Sequence, residues 1–203
     1  MTGTTSTSTS TTFDLGPQAL IVARLAEGVG EEQLGAPTPC PEYAVRNLLG
    51  HLVGLTRAFR DAGRKDLGPT TDTDPGSSLP DVTPDWRAEL PKLLAELAEA
   101  WRDPAAWTGD TRAGGVDLPG EVAALVATNE LVIHGWDLAR ATGQHYTPDT
   151  AALQASHSLL APAADDPDGS EIFGPPVPVP DEAPLLDRTI GLSGRDPNWT
   201  ARA

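Results

Sequence analysis

Two stretches of this chain place an imidazole where an amphipathic helix would carry an apolar side chain. One is residues 38–54, TPCPEYAVRNLLGHLVG; the other is residues 129–143, NELVIHGWDLARATG. In the second, Glu130 precedes His134 by one helical turn, so both side chains project from the same face. Along that i, i+4 ridge the order is Val122, Val126, Glu130, His134, Leu138, with Leu125 and Ile133 beside it. Apolar residues on both sides of the polar pair predict that it faces the protein interior. A carboxylate buried without a partner costs several kcal/mol even after relaxation, so something must compensate it. His51 lies between Leu48 and Leu55, at the margin of its own apolar face, and supplies a third donor if the two helices pack together. Two imidazoles and a carboxylate form a donor set for a divalent metal, zinc first, with three protein ligands and an open fourth position. The same spacing has another reading: an ordinary charge-assisted Glu–His pair, with His51 a core histidine bonded to a carbonyl.

The other chemically capable residues read as less specific. His145 and His157 lie off the ridge and read as surface residues. Cys40, wedged between Pro39 and Pro41, reads as a small packing residue rather than a ligand. Trp101 and Trp136 read as core or pocket wall. Asp137 either orients a ligand or caps local structure.

The elements that must position these residues are helical. Leu20, Ile21, Leu25 and Val29 recur at helical spacing after Pro17 and predict a helix over 17–29. Prolines at 37, 39 and 41 enforce an extended approach to a second helix over 43–62. Residues 63–83 read as a long Gly/Pro/Asp/Ser loop, of the kind that often serves as a lid or binding loop. A third helix is predicted over 84–102, where Pro91 must kink it or mark a later start. Residues 103–117 contain Gly114-Gly115 and allow a short hairpin. A fourth helix is predicted over 119–142, ended by Gly143, and a fifth over 147–160. Residues 1–12 are Ser/Thr/Gly-rich with no apolar period and read as a disordered tail. The fold class is all-α: a four-helix bundle with an additional C-terminal helix and an irregular Pro-rich tail, one metal-binding domain over 13–203.

Composition narrows the partners. A net charge of −15 repels phosphate backbones and anionic lipid, which argues against nucleic acid and membrane surfaces. No apolar run approaches the ~20 residues that span a bilayer. The N-terminus has neither the basic start nor the apolar core of a signal peptide, so a cytoplasmic location is the expectation. The single cysteine excludes an internal disulfide and suits a reducing compartment. Of 14 basic residues only Lys65 and Lys92 are lysine, a codon bias of GC-rich, actinobacterial type.

At the candidate ligands the chain resembles the DinB-like superfamily, in particular the actinobacterial metal-binding branch related to the N-terminal domain of mycothiol-dependent maleylpyruvate isomerase. The residues that carry the resemblance are Thr38-Pro39-Cys40, Leu49-Gly50-His51-Leu52, and Glu130 with His134-Gly135-Trp136-Asp137-Leu138. Residues 173–199, FGPPVPVPDEAPLLDRTIGLSGRDPNW, are similar to the ending of one metal-binding subgroup. The resemblance runs from Asp14 onward. It implies a four-helix bundle holding a divalent metal, commonly zinc with nickel as the other candidate ion, through His51, Glu130 and His134. It also implies a small-molecule thiol, mycothiol, bound as thiolate and passed to or through a small electrophilic substrate. A divalent ion lowers the pKa of a bound thiol or water and so produces a nucleophile at neutral pH. Two features depart from the family. The isomerase is expected to carry a further C-terminal domain, for which only about 40 residues remain here, and Tyr43 stands where many relatives have tryptophan.

Three functions follow as expectations. The first is a mycothiol-dependent thiol transferase or isomerase. The second is a metal-binding module without turnover, and the third a metal-dependent hydrolase with activated water. No general acid or base beyond the ligands is identified, and the chain is expected to be a monomer or homodimer.

Overall fold

The computed structural model describes residues 12–162 and 174–201. The expected disordered tail therefore lies outside the described residues except for Thr12. Seven α-helices and one two-stranded hairpin, with short 3-10 turns at Glu31–Gln33 and Pro104–Trp107, are the regular elements of the described residues: α1 (Gly16–Glu27), α2 (Val45–Arg64), α3 (Pro69–Asp72), α4 (Trp86–Ala100), β1 (Asp110–Ala113), β2 (Val116–Pro119), α5 (Gly120–Thr142), α6 (Thr150–Leu160) and α7 (Leu185–Leu192).

The boundaries follow local chemistry. Pro17 occupies the first turn of α1, where its missing N–H costs nothing. The approach to α2 is held by Thr38, whose hydroxyl donates to the carbonyls of Tyr43 at 2.7 Å and Cys40 at 2.9 Å. At the α2 start, Asn47 Oδ1 accepts from the Ala44 N–H, while its Nδ2 donates to the Pro80 carbonyl. Helix α4 runs unbroken through Pro91, which sits in its second turn and forfeits one bond, to the carbonyl of Arg87. Gly114 and Gly115 both take positive φ, the two-residue turn that matches the twist of a hairpin, and Ala113 pairs with Val116 across it. Gly143 ends α5 in the left-handed conformation.

Helices α1, α2, α4 and α5 each pack against two of the others: α1 and α2 both contact α4 and α5. Leu48 and Leu52 of α2, Leu94 and Leu97 of α4, and Leu131 and Leu138 of α5 meet in this core, essentially without exposure. A second, smaller core lies on the opposite side of α5, where Val132, Ile133 and Trp136 meet Ala152 and Leu160 of α6 and Ile190 of α7. Every residue of α5 from 131 to 139 is therefore buried. Trp101 and Trp136 are core residues, as expected. Helix α7 falls within the stretch read from sequence as irregular and Pro-rich. Within the described tail, residues 174–184 and 193–201 are irregular, and Pro184 is the residue from which α7 starts.

The long loop also departs from its reading. It contains the short α3, and its far end returns to α2, where a Cβ on Gly50 would lie 2.6 Å from the backbone of Asp81. Asn47, one turn before His51, bonds the same segment through Pro80. The loop therefore seats against the helix that carries His51. Helix propensity alone favours alanine over glycine by about 1 kcal/mol at such a position. The backbone clash should outweigh that preference, so Gly50→Ala is expected to destabilise by roughly 1–3 kcal/mol, as overpacking does. Urea unfolding measures it, and a variant more stable than the parent would show that the loop does not seat on α2.

Candidate metal centre

Packing of α2 against α5 brings His51 to Glu130, as the ridge pattern required. His51 Nε2 lies 3.2 Å from Glu130 Oε2, and His134 Nε2 lies 3.2 Å from the same oxygen. The two imidazoles meet edge to face, with ring centroids 4.7 Å apart. One donor atom from each of the three residues lies within 4.8 Å of the others. Their side chains retain 14%, 15% and 9% exposure for His51, Glu130 and His134, so the cluster is nearly enclosed yet reaches solvent.

The other nitrogen of His134 is fixed from behind. Nδ1 lies 2.9 Å from Oδ2 of Asp137, a carboxylate with no exposure at all. A carboxylate in an ion pair only accepts, so Nδ1 carries the hydrogen. Arg195 grips Asp137 with Nη2 on Oδ2 at 3.2 Å and Nε on Oδ1 at 3.3 Å. With Nδ1–H committed, His134 Nε2 faces Glu130 in one of two ways. It is either the second N–H of an imidazolium or a lone pair turned to a cation between the two groups.

The electrostatics of the metal-free cluster favour the first. Burial opposes both charges, but hydrogen bonds from His134 and His51 hold the Glu130 carboxyl far below its usual range. Burial likewise disfavours charge on His134, yet the bonds to Asp137 and Glu130 prevail and push its pKa up to about 9.

Two further residues approach the cluster. The Tyr43 ring tilts against His51 with centroids 5.5 Å apart. The half-buried Cys40 thiol shares the electrostatic surroundings of Arg195, Asp137 and Glu130. Burial pushes that thiol's pKa up, with Arg195 opposing, so it is no ready thiolate. The reading of Cys40 as a packing residue misses its closeness to the site. His145 is exposed, as expected. His157 is half-buried rather than fully exposed, and its Nδ1 lies 3.2 Å from Thr189 Oγ1 of α7. Arg195 is absent from the sequence-based site. Its signal was indirect: Asp137 is a second carboxylate on a helix buried all round, and such a group requires a cation.

Comparison with known proteins places these residues in context. The sequence profile described as mycothiol maleylpyruvate isomerase N-terminal domain matches residues 16–139, a span that includes all three donors but ends before Arg195. Two uncharacterized proteins of Mycobacterium tuberculosis, one from each of two strains, are 30% identical over 178 residues, 85% of this chain and 91% of theirs. The crystal structure of the mycothiol-dependent maleylpyruvate isomerase superposes with a TM-score of 0.56 at 18% identity, covering 91% of this chain and 88% of that one. A histidine-to-alanine mutant of that isomerase gives the same TM-score and identity over 89% of this chain and 87% of its own.

The two shifted groups set a pH window for the metal-free protein. Glu130 is depressed in the folded state, so its contribution is present above about pH 4.5 and lost as pH falls through its lower folded value. His134 is raised, so its contribution is full below pH 6.5 and lost as pH climbs toward 9. The metal-free chain should therefore be most stable between these limits. Its melting temperature is expected to drop by roughly 3–6 °C from pH 6.5 to 9. Calorimetry of the chelator-treated protein tests this, and His134→Gln should flatten that limb.

Proposed function

The chain belongs to the mycothiol maleylpyruvate isomerase N-terminal domain family of the DinB-like superfamily, and from that premise we propose a divalent-metal protein that uses mycothiol in a transferase or isomerase reaction on a small electrophile. The metal ligands in this reading are His51, Glu130 and His134, and zinc is the ion. The observation that carries it is the convergence of the three donor atoms within 4.8 Å, inside a nearly enclosed site.

The residues present fit such an ion. Both Nε2 atoms aim at one carboxylate oxygen, an arrangement that N–H donors satisfy without an ion and that a cation between the three groups would also satisfy. Imidazole and carboxylate together suit zinc, and three ligands leave a position for an exogenous group. A bound ion would supply Lewis acidity, lowering the pKa of a thiol so that thiolate forms near neutral pH. Glu130 offsets part of the ion's charge. Asp137 holds the His134 ring so that Nε2 stays aimed inward. Tyr43 walls the site beside His51. Cys40, with its raised pKa, leaves the thiol role to an external molecule.

In the same reading, helices α1, α2, α4 and α5 form a four-helix bundle, and α6 and α7 belong with it to one metal-binding domain over 13–203. No described helix is long and apolar enough to cross a membrane. The lone cysteine suits a cytoplasmic setting, and the chain's negative charge suits small-molecule rather than nucleic-acid chemistry.

Two measurements test the function. Zinc at a free concentration 100-fold above its dissociation constant should stabilise the folded chain by about 2.7 kcal/mol, and His134→Ala should abolish that gain while keeping helical content. A variant with the full gain would place the ion elsewhere. In the cobalt-substituted protein, mycothiol should produce an intense near-ultraviolet sulfur-to-cobalt band, with apparent affinity rising with pH as the thiol gives up its proton. Full cobalt loading without that band at millimolar mycothiol would exclude the thiol role and leave a hydrolase or a metal module without turnover.

A further inference from the structure

We propose that Arg195 and Asp137 are positioning residues for the metal centre: the C-terminal segment reaches back to α5, fixes the ring of His134, and thereby sets metal affinity. The proposal rests on the reading of His51, Glu130 and His134 as metal ligands, and it adds a residue from outside the matched family span of 16–139.

The geometry is continuous from the segment to the site. Helix α7 ends at Leu192, and Gly194 takes φ +78°, with its N–H bonded to the Gly191 carbonyl. The Arg195 N–H bonds the Ile190 carbonyl, which turns the chain back toward α5. No side chain can replace the hydrogen of Gly194 without strain. Its Cβ would also lie 3.0 Å from the Gly174 carbonyl oxygen. The Arg195 side chain is thus delivered to Asp137, where Nε and Nη2 engage both carboxylate oxygens. Its Nη1 is bonded to the Ser193 carbonyl at 2.8 Å. One turn further along α5, Arg140 Nε donates to the Trp199 carbonyl at 3.1 Å, a second fastening of the same segment.

The consequence falls on His134. Asp137 has no exposure, and Arg195 retains only 13% of its side-chain exposure. A guanidinium keeps its charge and its planar fork, so it holds the Asp137 carboxylate in one orientation. Asp137 Oδ2 then accepts from His134 Nδ1–H at 2.9 Å, which leaves Nε2 as the only nitrogen available to an ion. Carboxylates that hold a ligating histidine in this way commonly govern affinity without touching the metal. The nitrogens of Arg195 that would clasp a substrate carboxylate are already on Asp137, which assigns this arginine to positioning rather than to substrate.

A merely structural ion pair would affect folding and leave zinc affinity alone, so affinity is the readout. Zinc dissociation constants come from competition with a chromophoric chelator, on chains shown to be folded by circular dichroism. Asp137→Asn and Arg195→Met are each expected to weaken zinc binding roughly 10–100-fold. Arg195→Lys, which keeps the charge but loses the fork, should fall between them and the parent. Arg195→Met strands a buried carboxylate, so the double variant Asp137→Asn with Arg195→Met provides a chain without that charge. It should bind no more weakly than the weaker single variant, because both changes act through one ring. In parallel, the parent should show an exchange-protected downfield Nδ1–H proton of His134 by NMR, and the variants should lose it. Folded variants that bind zinc as the parent does would overturn this proposal and leave the metal site standing. A parent with no zinc affinity would overturn both.

Discussion

One carboxylate oxygen, Glu130 Oε2, lies 3.2 Å from an imidazole nitrogen on each of two helices. Val126, Ala127, Leu131 and Ile133 flank Glu130 along α5. Taking a carboxylate into such a place costs several kcal/mol after relaxation, a large part of the roughly 5–15 kcal/mol that keeps a domain folded. Compensation is therefore obligatory, and it comes from α2, through His51, and from one turn along α5, through His134. Well-packed apolar residues at the same positions would be as stable or more so. A set of buried ionisable groups retained against that alternative is better explained by chemistry than by folding.

The position of α5 explains why the site can be held so closely. One side of this helix packs on α1 and α2, the other on α6 with Ile190 of α7 in the same small core, so residues 131–139 are all buried. Gly135, next to His134, lets neighbours approach: a Cβ there would lie 3.2 Å from the Tyr146 ring and 3.3 Å from Val22. Tyr146 in turn donates to the Val132 carbonyl and accepts from Gln18 Nε2, which also bonds the Leu131 carbonyl. These buried polar contacts are mutually satisfied and tie α1 and the α5–α6 connection to the turn that carries His134. Rigid surroundings of this sort hold ligand geometry better than a loop would.

Much of this was legible from residue types alone. The i, i+4 placement of Glu130 and His134 within Val122, Val126 and Leu138 marked an inward-facing pair, and the flanking leucines of His51 marked the helix that meets it. The Gly114-Gly115 turn was legible because two adjacent glycines before a β-branched residue suit few other structures. The missed elements share a physical cause. Helix α7 is short, and its face makes sense only against α6, so local periodicity could not reveal it. Arg195 lies 58 positions from Asp137 in sequence, and nothing local ties a basic residue to a carboxylate at that distance. The closeness of Cys40 to the site depends on how Thr38 folds the proline-flanked segment, which spacing does not encode.

The proposed chemistry requires that His51, Glu130 and His134 together hold a single divalent ion. X-ray absorption at the zinc edge, on tag-free protein loaded to one ion per chain, reads the coordination shell directly. Two imidazole nitrogens at ~2.0–2.1 Å and a carboxylate oxygen at ~2.0–2.2 Å are predicted. In a His51→Ala chain, one imidazole contribution should disappear. A shell that lacks imidazole scattering, or one that His51→Ala leaves unchanged, would contradict the claim.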